Sequence, residues 1–561
     1  MGGLQSALPI RFLHATRTSA ILTCAMSAAD VLAESIAAEL KALGVETRSE
    51  DVHLERPARP EHGDFSTNVA LALSKKAGRR PRELADELAS ALRARPPAHV
   101  EMVEVAGPGF VNFRLRPTWL QEVLGEIVTA SESGYATPDL GHGERTQIEF
   151  VSANPTGPLH VGNGWFGSYG DALGRIMSRT GWDISREFYV NDTGGQIRRL
   201  GESVLAFRRG DAPPEDGYQG EYVHEIAAVY DGPEDVAQAG RFAAERILTN
   251  IRETLDRLNI FFDEWYSQAS IEESGRVAVT IGELRSRGHI YEEGGATWFR
   301  ATTFGDSRDR VLVKSDGDAT YLAGDLAYHR NKFIERGFER VIDVFGADTH
   351  GHVASLRAGM QALGVDPSRL EVRIGQMISL VGGRMSKRSG NYVRLDTLID
   401  DIGADATRLL SLLNSIDQAT TLDLDILKER SAENPVFYVQ YAHARIASIS
   451  RVAADRGVQR LPLSEVDLGL LEHPRELEVL RTLVDLPRVV EEAAVERAPY
   501  KVTNWVRALA ADFHGFYHDC YVMGEGVSPA LTQARLWLVE AARVGLAIGL
   551  DLLGVGAPDE M

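Results

Sequence analysis

The chain has 561 residues, more than one hydrophobic core normally organises, so several domains are expected. Its hydrophobic fraction of 44% and charged fraction of 25% are ordinary for a globular protein, and its two cysteines are too few for a disulfide framework and too far apart for a zinc-ligand pair. The formal net charge of -20 excludes a protein that coats nucleic acid indiscriminately, although a local basic surface could still bind an RNA.

The N-terminal part of the chain divides into an extension and a small domain. Residues 1–27 contain no acidic residue and no clear cleavage site, and we interpret them as a disordered extension or an upstream start. In residues 28–130, leucines recur at helical spacing around 32–43 and 84–92, and an extended run with a Gly-Pro-Gly break follows at 100–115. This pattern predicts an α+β domain.

A strand-loop-helix-strand unit follows the linker. Residues 147–151 are strand-like, 152–164 form a loop rich in glycine and proline, 166–177 have helical periodicity, and 184–190 read as a second strand. Such a unit is the building block of a parallel α/β sheet.

The sheet is expected to resume after an interruption. Strands are predicted at 341–346 and 372–381, around a helix at 353–363, whereas residues 201–290 have the composition of a helical insertion. We therefore predict a doubly wound parallel-sheet, Rossmann-like domain over residues 140–405.

The C-terminal part, residues 406–561, has helical periodicity almost throughout and predicts an all-α helical bundle. Its longest apolar stretch, 544–555, is too short to span a bilayer and is interrupted by Asp551. We interpret it as a buried helix and expect no membrane association.

The loop between the first strand and the first helix is a candidate nucleotide site. It contains Pro158, His160, Gly162 and Asn163, in a place where open α/β sheets bind ligands. Glycines let the backbone approach a phosphate, the helix N-terminus favours negative charge, and His160 could donate to an oxyanion that forms during reaction. A structural turn with a packed histidine is an equally good interpretation of this loop alone.

A second glycine-flanked loop, at 382–391, carries the sequence Gly-Gly-Arg-Met-Ser-Lys-Arg-Ser-Gly-Asn. Lys387 could swing onto a triphosphate and neutralise the charge on departing pyrophosphate. An isolated basic turn is usually only solvated, but two such loops flanking one sheet favour nucleotidyl transfer.

Together the two loops resemble the signature sequences of class I aminoacyl-tRNA synthetases. Asn163 stands where the first signature usually has a histidine, and Arg384 where the second usually begins with lysine. Asn163 can hydrogen-bond a phosphate or ribose but carries no charge.

Longer segments resemble arginyl-tRNA synthetases, and the resemblance spans the chain from about residue 28. These segments are 149–162, 189–196, 319–325 and 434–445. The resemblance implies an enzyme that activates L-arginine with ATP and transfers it to its tRNA. It further implies ATP as a substrate with Mg²⁺, no protein-bound metal, a monomer, and a cytoplasmic location.

The resemblance also implies roles for individual residues. His160, Lys387 and Asn163 are expected to be catalytic. The residues expected to bind ATP are Pro158, His160, Gly162, Asn163, His350, Met385, Ser386 and Lys387. Those expected to bind arginine are Glu149, Ser152, Asn154, His160, Tyr321 and Asp325. A guanidinium suits this set because carboxylates can meet its planar fork of donors and an aromatic ring can stack on it.

The RNA is expected to contact both ends of the chain. Tyr438, Tyr441 and Arg445 share one helical flank in the region that resembles the anticodon-binding bundle, where they could stack on unpaired bases. The N-terminal domain resembles the part of the family that contacts the tRNA elbow, and its clearest basic cluster is Lys75, Lys76, Arg79 and Arg80. Core packing and a solvated face are the ordinary alternatives.

Three other interpretations remain open from the sequence. The glycines of residues 162–167, with Glu187 downstream, match a dinucleotide-binding fingerprint, although a proline-containing loop separates them from the strand. His350 and His352 could suggest a metal site, which we disfavour because no third ligand lies nearby. The departures at Asn163 and Arg384 would also suit a catalytically inactive tRNA-binding relative.

Overall fold

A computed structural model describes residues 28–57, 59–346, 351–376, 378–380, 383–384, 393–422 and 434–561. The chain forms two compact units, which meet in the sequence between Trp119 and Leu120. The predicted extension at 1–27 lies outside the described residues.

The first unit is the predicted α+β domain. Its four strands form an antiparallel sheet in the order β1-β2-β4-β3, and the break at Gly107 is the turn of the β3–β4 hairpin. Leucines at the predicted helical spacing, such as Leu32 and Leu88, are fully buried because they line the apolar faces of helices. The elements are α1 Ala28–Ala42, β1 Leu54–Glu55, β2 Phe65–Thr67, α2 Val69–Ala77, α3 Pro81–Ala94, β3 Val100–Ala106 and β4 Phe110–Leu115.

The second unit begins within α4 and is built on a five-stranded parallel sheet. Its strands lie in the order β12 (Leu370–Gly375), β11 (Arg340–Gly346), β5 (Arg145–Glu149), β6 (Asp183–Val190) and β7 (Glu264–Ser267). This confirms the doubly wound α/β fold. Its first half comprises α4 Thr118–Gly134, β5 Arg145–Glu149, α5 Val161–Arg179, β6 Asp183–Val190, α6 Gly194–Arg209, α7 Glu221–Val229, α8 Val236–Arg257, β7 Glu264–Ser267, α9 Gln268–Glu273 and α10 Arg276–Ser286.

The second half of the α/β part returns to the sheet after a small antiparallel sheet of β8, β9 and β10. Its elements are β8 Ile290–Glu293, β9 Ala296–Phe299, β10 Arg310–Val313, α11 Tyr321–Arg330, β11 Arg340–Gly346, α12 Val353–Ala362, β12 Leu370–Gly375, β13 Ile378–Leu380, β14 Gly383–Arg384, α13 Leu395–Ile402, α14 Ala404–Ser411 and β15 Thr420–Leu422.

Two local predictions require correction. The stretch 201–290 is not purely helical, because it contributes β7, which pairs with β6 at the edge of the main sheet. The single strand predicted at 372–381 is divided between β12 of the main sheet and β13, which pairs with β14 and β15. Periodicity within one strand cannot reveal which neighbour it pairs with, so neither feature was evident from the sequence.

The C-terminal region is helical as predicted, and its helices are α15 Pro435–Asp455, α16 Pro474–Val484, α17 Leu486–Glu496, α18 Tyr500–Asp519 and α19 Pro529–Leu553. The apolar stretch that was interpreted as a buried helix lies mostly within α19, where Val544, Leu546 and Leu550 are buried. Within the described part of the chain, no helix combines the length and apolarity needed to cross a bilayer.

The sheet order places a crevice at the carboxyl end of β5. The chain passes from β5 to β6 on one side and later to β11 on the other. The strand order therefore reverses between β5 and β11, and open α/β sheets bind ligands at such a point.

Candidate active site

The loop after β5 begins with two residues in the left-handed region of backbone conformation. Val151 has a φ of 68° and Ser152 a φ of 36°. Such φ values are unusual for residues other than glycine, and a β-branched valine is especially strained there. The turn directs Ser152 back over the strand, where its hydroxyl donates to Glu149 Oε1 at 2.9 Å and accepts from the Tyr189 backbone N–H at 3.1 Å.

His160 lies at the N-terminal cap of α5. The amide oxygen of Asn163 accepts a hydrogen bond from the His160 backbone N–H at 3.0 Å and closes a capping box. A β-carbon at position 162 would lie 3.0 Å from the imidazole ring, so the glycine permits this ring position. The asparagine that departs from the usual signature thus stabilises the start of the helix.

The part of the chain that follows the second signature returns to the first. The Val161 N–H donates to the Val393 carbonyl at 3.1 Å, and His160 pairs with Arg394 in an isolated bridge. Met385, Ser386, Lys387 and His350 lie outside the described residues. The structure brings the segment after the second signature to His160, and the position of Lys387 itself remains a prediction.

The two carboxylates expected to bind arginine differ in their surroundings. Glu149 is buried, and its Oε2 accepts from Lys332 Nζ at 2.6 Å, so both of its oxygens have partners. Asp325, on α11, is half-buried and has no side-chain hydrogen bond or ion pair with the described residues. Burial raises the pKa of the Asp325 carboxyl, the charge of Glu149 raises it further, and His329 opposes the shift. Asp325 is therefore the carboxylate most open to a cationic ligand.

The other residues expected to bind arginine lie around these carboxylates in different settings. Asn154 donates to Gln196 Oε1 at 3.0 Å, which joins the loop to the start of α6. Tyr321 begins α11 and is 82% exposed, so its ring does not line an enclosed pocket in this structure. Tyr189 is less exposed than Tyr321 and lies near both carboxylates. Burial raises the pKa of its hydroxyl, and the charges of Asp325 and Glu149 raise it further.

Sequence reasoning missed a buried polar cluster beneath Glu149. Lys332 Nζ also lies 3.0 Å from Asp343 Oδ1, and Asp343 Oδ2 lies 2.8 Å from His329 Nε2. Lys332 and Asp343 are fully buried and His329 nearly so. The cluster could be found only from the strand register, in which Asp343 of β11 faces Glu149 of β5.

The three residues expected to contact tRNA lie together on α15. The Arg445 guanidinium lies 4.4 Å from the Tyr441 ring centroid, and Tyr438 packs against His514 with centroids 4.6 Å apart. Helix α18 adds Tyr517, whose ring is 4.6 Å from the Arg445 guanidinium. Tyr441 and Tyr517 are 38% and 41% exposed, which leaves stacking surface for bases.

The geometry disfavours the dinucleotide-binding alternative. Gly162, Gly164 and Gly167 all lie inside α5 rather than in the turn before it. Glu187 is fully buried on β6, where it accepts from the Tyr328 hydroxyl and pairs with Arg336, so it is not placed to meet a ribose. Among the described residues, no group of three His, Cys, Asp or Glu side chains could hold a metal ion.

Models of known families match three parts of the chain. The model of the arginyl tRNA synthetase N terminal domain matches residues 30–115, that of the class I (R) tRNA synthetase catalytic domain matches 215–449, and that of the DALR anticodon binding domain matches 439–561.

Relatives match over nearly the whole chain. An arginine–tRNA ligase from Moorella thermoacetica is 45% identical, with 91% of this chain and 94% of that protein covered. A putative arginyl-tRNA synthetase structure from Campylobacter jejuni is 31% identical with a TM-score of 0.72, covering 80% of this chain and all of that one. The arginyl-tRNA synthetase structure from Thermus thermophilus shares the fold, with a TM-score of 0.76 at 24% identity, over 94% of this chain and 99% of that one. The chain therefore belongs to the arginyl-tRNA synthetase family, within the class I aminoacyl-tRNA synthetases.

Proposed function

We propose that this aminoacyl-tRNA synthetase binds arginine between Asp325 and Glu149 and activates it with ATP at the carboxyl end of β5. The arginine carboxylate attacks the α-phosphate of ATP, pyrophosphate leaves, and arginyl-adenylate forms. A hydroxyl of the terminal ribose of the tRNA then attacks the arginyl carbonyl, and AMP leaves. The observation that carries the proposal is the half-buried carboxylate of Asp325, which has no side-chain hydrogen bond or ion pair with the described residues. Burial raises the pKa of this carboxyl, and the nearby charge of Glu149 raises it further.

In the arginine pocket, Asp325 and Glu149 take the guanidinium, and Ser152 holds the Glu149 carboxylate through its 2.9 Å hydrogen bond. Asn154 orients the loop and Tyr321, which is exposed at the start of α11, closes over the ligand. A cation arriving between these groups stabilises the ionised form of Asp325, so binding lowers the pKa of this carboxyl and releases any proton it carries, which costs part of the binding energy.

ATP is the second substrate of this class, and we assign its phosphates to the N-terminus of α5. Pro158, His160, Gly162 and Asn163 form the loop there, and the His160 ring donates to phosphate oxygens as charge moves onto them. His350, Met385, Ser386 and Lys387 complete the nucleotide site in this proposal, supported by the return of Val393 to the loop. Mg²⁺ arrives with ATP as part of the substrate. Holding the reactants in line supplies on the order of 7–11 kcal/mol of the barrier.

The tRNA is held at two places in this proposal. Residues 406–561 bind the anticodon, with Tyr438, Tyr441 and Arg445 stacking on unpaired bases, and residues 28–130 contact the tRNA elbow. Lys76 and Arg79 of the basic cluster there also bind backbone carbonyls, and Arg80 pairs with Glu83, so Lys75 is the better candidate for a phosphate contact. Residues 140–405 form the catalytic part. We expect the enzyme to act as a monomer in the cytoplasm.

The decisive experiment is ATP–pyrophosphate exchange with each amino acid in turn, with and without tRNA. Arginine should be the one amino acid that supports exchange, and charging of tRNA should depend on both arginine and ATP. A Lys387→Ala change should lower the exchange rate strongly while the affinity for tRNA stays nearly constant. A protein that binds tRNA but catalyses neither step would overturn the proposal.

A further inference from the structure

Three buried carboxylates lie in one row across the central sheet. Asp343 of β11 is in register with Glu149 of β5, and Glu149 is in register with Glu187 of β6. All three are almost inaccessible to solvent. Like charges directly opposite one another on adjacent strands are destabilising, so this row requires compensation from the layer that covers it.

The compensation comes from four side chains that follow β5 by more than 170 residues but share one helical face. Tyr328 and His329 lie in α11, Lys332 lies in the single π-helical turn Asn331–Glu335 that extends it, and Arg336 directly follows that turn. Lys332 Nζ bridges Glu149 and Asp343, while Arg336 pairs with Glu187 at 2.5 Å. Single π-turns inside helices often occur at functional sites, and here the turn carries the ammonium that contacts two carboxylates.

His329 extends this network toward the arginine pocket. Its Nδ1 lies 2.8 Å from the Asp325 carbonyl oxygen, which can only accept, so this nitrogen donates. Its Nε2 lies 2.8 Å from Asp343 Oδ2, so the imidazole joins the Asp343 carboxylate to the backbone of α11. The ammonium of Lys332 and the guanidinium of Arg336 offset the charges of the row.

A continuous chain of contacts therefore joins the two carboxylates of the pocket. It runs from Glu149 through Lys332, Asp343 and His329 to the backbone of Asp325. Both oxygens of Glu149 already have partners, whereas the Asp325 side chain has no hydrogen bond or ion pair with the described residues, so Asp325 is the carboxylate left to balance an incoming cation.

We propose that Lys332 is a positioning residue for arginine recognition, which fixes Glu149 directly and Asp325 through Asp343 and His329. The proposal rests on the assignment of arginine to Glu149 and Asp325 made above. Lys332 does not touch the substrate in this arrangement. It acts by holding the Glu149 carboxylate and, through Asp343 and His329, the part of α11 that carries Asp325.

The test is arginine binding to the full-length Lys332→Met protein by calorimetry, together with KM values for arginine and ATP in pyrophosphate exchange. We expect the Kd and KM for arginine to rise by about 10-fold or more, the effect of about 1.4 kcal/mol, with the KM for ATP within about twofold of the parent. Unchanged or tighter arginine binding would overturn the proposal, because Lys332 would then be only a structural or competing charge.

A matched control separates positioning from simple loss of stability. Arg535 and Glu476 form a comparably buried ion pair at 2.7 Å within the C-terminal helices. Arg535→Met should lower the melting temperature much as Lys332→Met does but leave the Kd for arginine unchanged. Equal weakening of arginine binding in both proteins would also overturn the proposal.

Two further variants keep the result interpretable. If Lys332→Met does not fold, Asp343→Asn tests the proposal instead, because it preserves the size of the side chain while it weakens the contacts with Lys332 and His329. Unchanged arginine affinity in that variant overturns the proposal. Asp325→Asn tests the pocket itself. If Asp325→Asn binds arginine normally, the assigned pocket is wrong, whereas a loss there with no effect of Lys332→Met or Asp343→Asn refutes only the positioning role.

Discussion

Removal of the negative charge at Asp325 should weaken arginine binding more than any other change of a single carboxylate to its amide outside the buried row. Asp325→Asn keeps the shape of a side chain that has no hydrogen-bond partner among the described residues, so little intramolecular interaction is lost. A charge-assisted hydrogen bond contributes about 1.5–3 kcal/mol, which corresponds to a rise in the arginine Kd of about 12- to 140-fold. Calorimetry on the purified variant measures this directly.

The pH dependence of binding gives the same prediction a second measurement. The pKa of Asp325 is raised, so at pH values below it the free protein carries a proton there that the guanidinium must displace. Arginine affinity should therefore decline as the pH falls through this raised pKa, with proton release on binding, and level off above it. Asp325→Asn should lack this change.

The control is Asp316→Asn, which removes an exposed carboxylate from the turn before α11. Its arginine Kd and pH profile should match those of the parent. If Asp325→Asn binds arginine within about twofold of the parent, or keeps the parent's pH profile, the guanidinium is balanced elsewhere and the reasoning fails.

Three other predictions concern Gly162 at the start of α5, Tyr517 of α18 and the buried Arg408 of α14. Gly162→Ala would place a β-carbon 3.0 Å from the His160 ring and so displace the ring. The exchange rate should fall by about 10-fold or more while arginine still binds. An unchanged exchange rate would show that the position of the ring does not matter. Tyr517→Ala should raise the KM for tRNA by the equivalent of about 1–3 kcal/mol without altering the Kd for arginine, measured by aminoacylation, and equal KM values would exclude stacking there. Arg408 is fully buried and donates to Asp171 at 2.5 Å and to the Leu258 and Leu553 carbonyls. Arg408→Met should therefore lower the free energy of unfolding, measured with denaturant, by about 3–5 kcal/mol. A decrease below about 1 kcal/mol would contradict this account.

The identity of the loops could be predicted from the sequence because their signals are local. The β5-loop-α5 unit has a strand period, a glycine-rich turn and a helix period in sequence, and the structure has all three. The resemblance of the surrounding segments to one family was likewise contained in short runs of residues. Asn163 could be recognised as a departure, but its capping of the His160 N–H required backbone coordinates.

The amino-acid sequence by itself determined the α/β class, the helical C-terminal region and the order of the two signature loops, since each follows from periodicity and turn chemistry within a short stretch of chain. Only the tertiary structure decided that Lys332 neutralises Glu149, that β7 completes the sheet, and that Tyr517 joins Tyr441 around Arg445. These pairings depend on strand register and helix packing between residues far apart in sequence. A buried charge is stabilised by the partner it meets in space, and no local pattern specifies that partner.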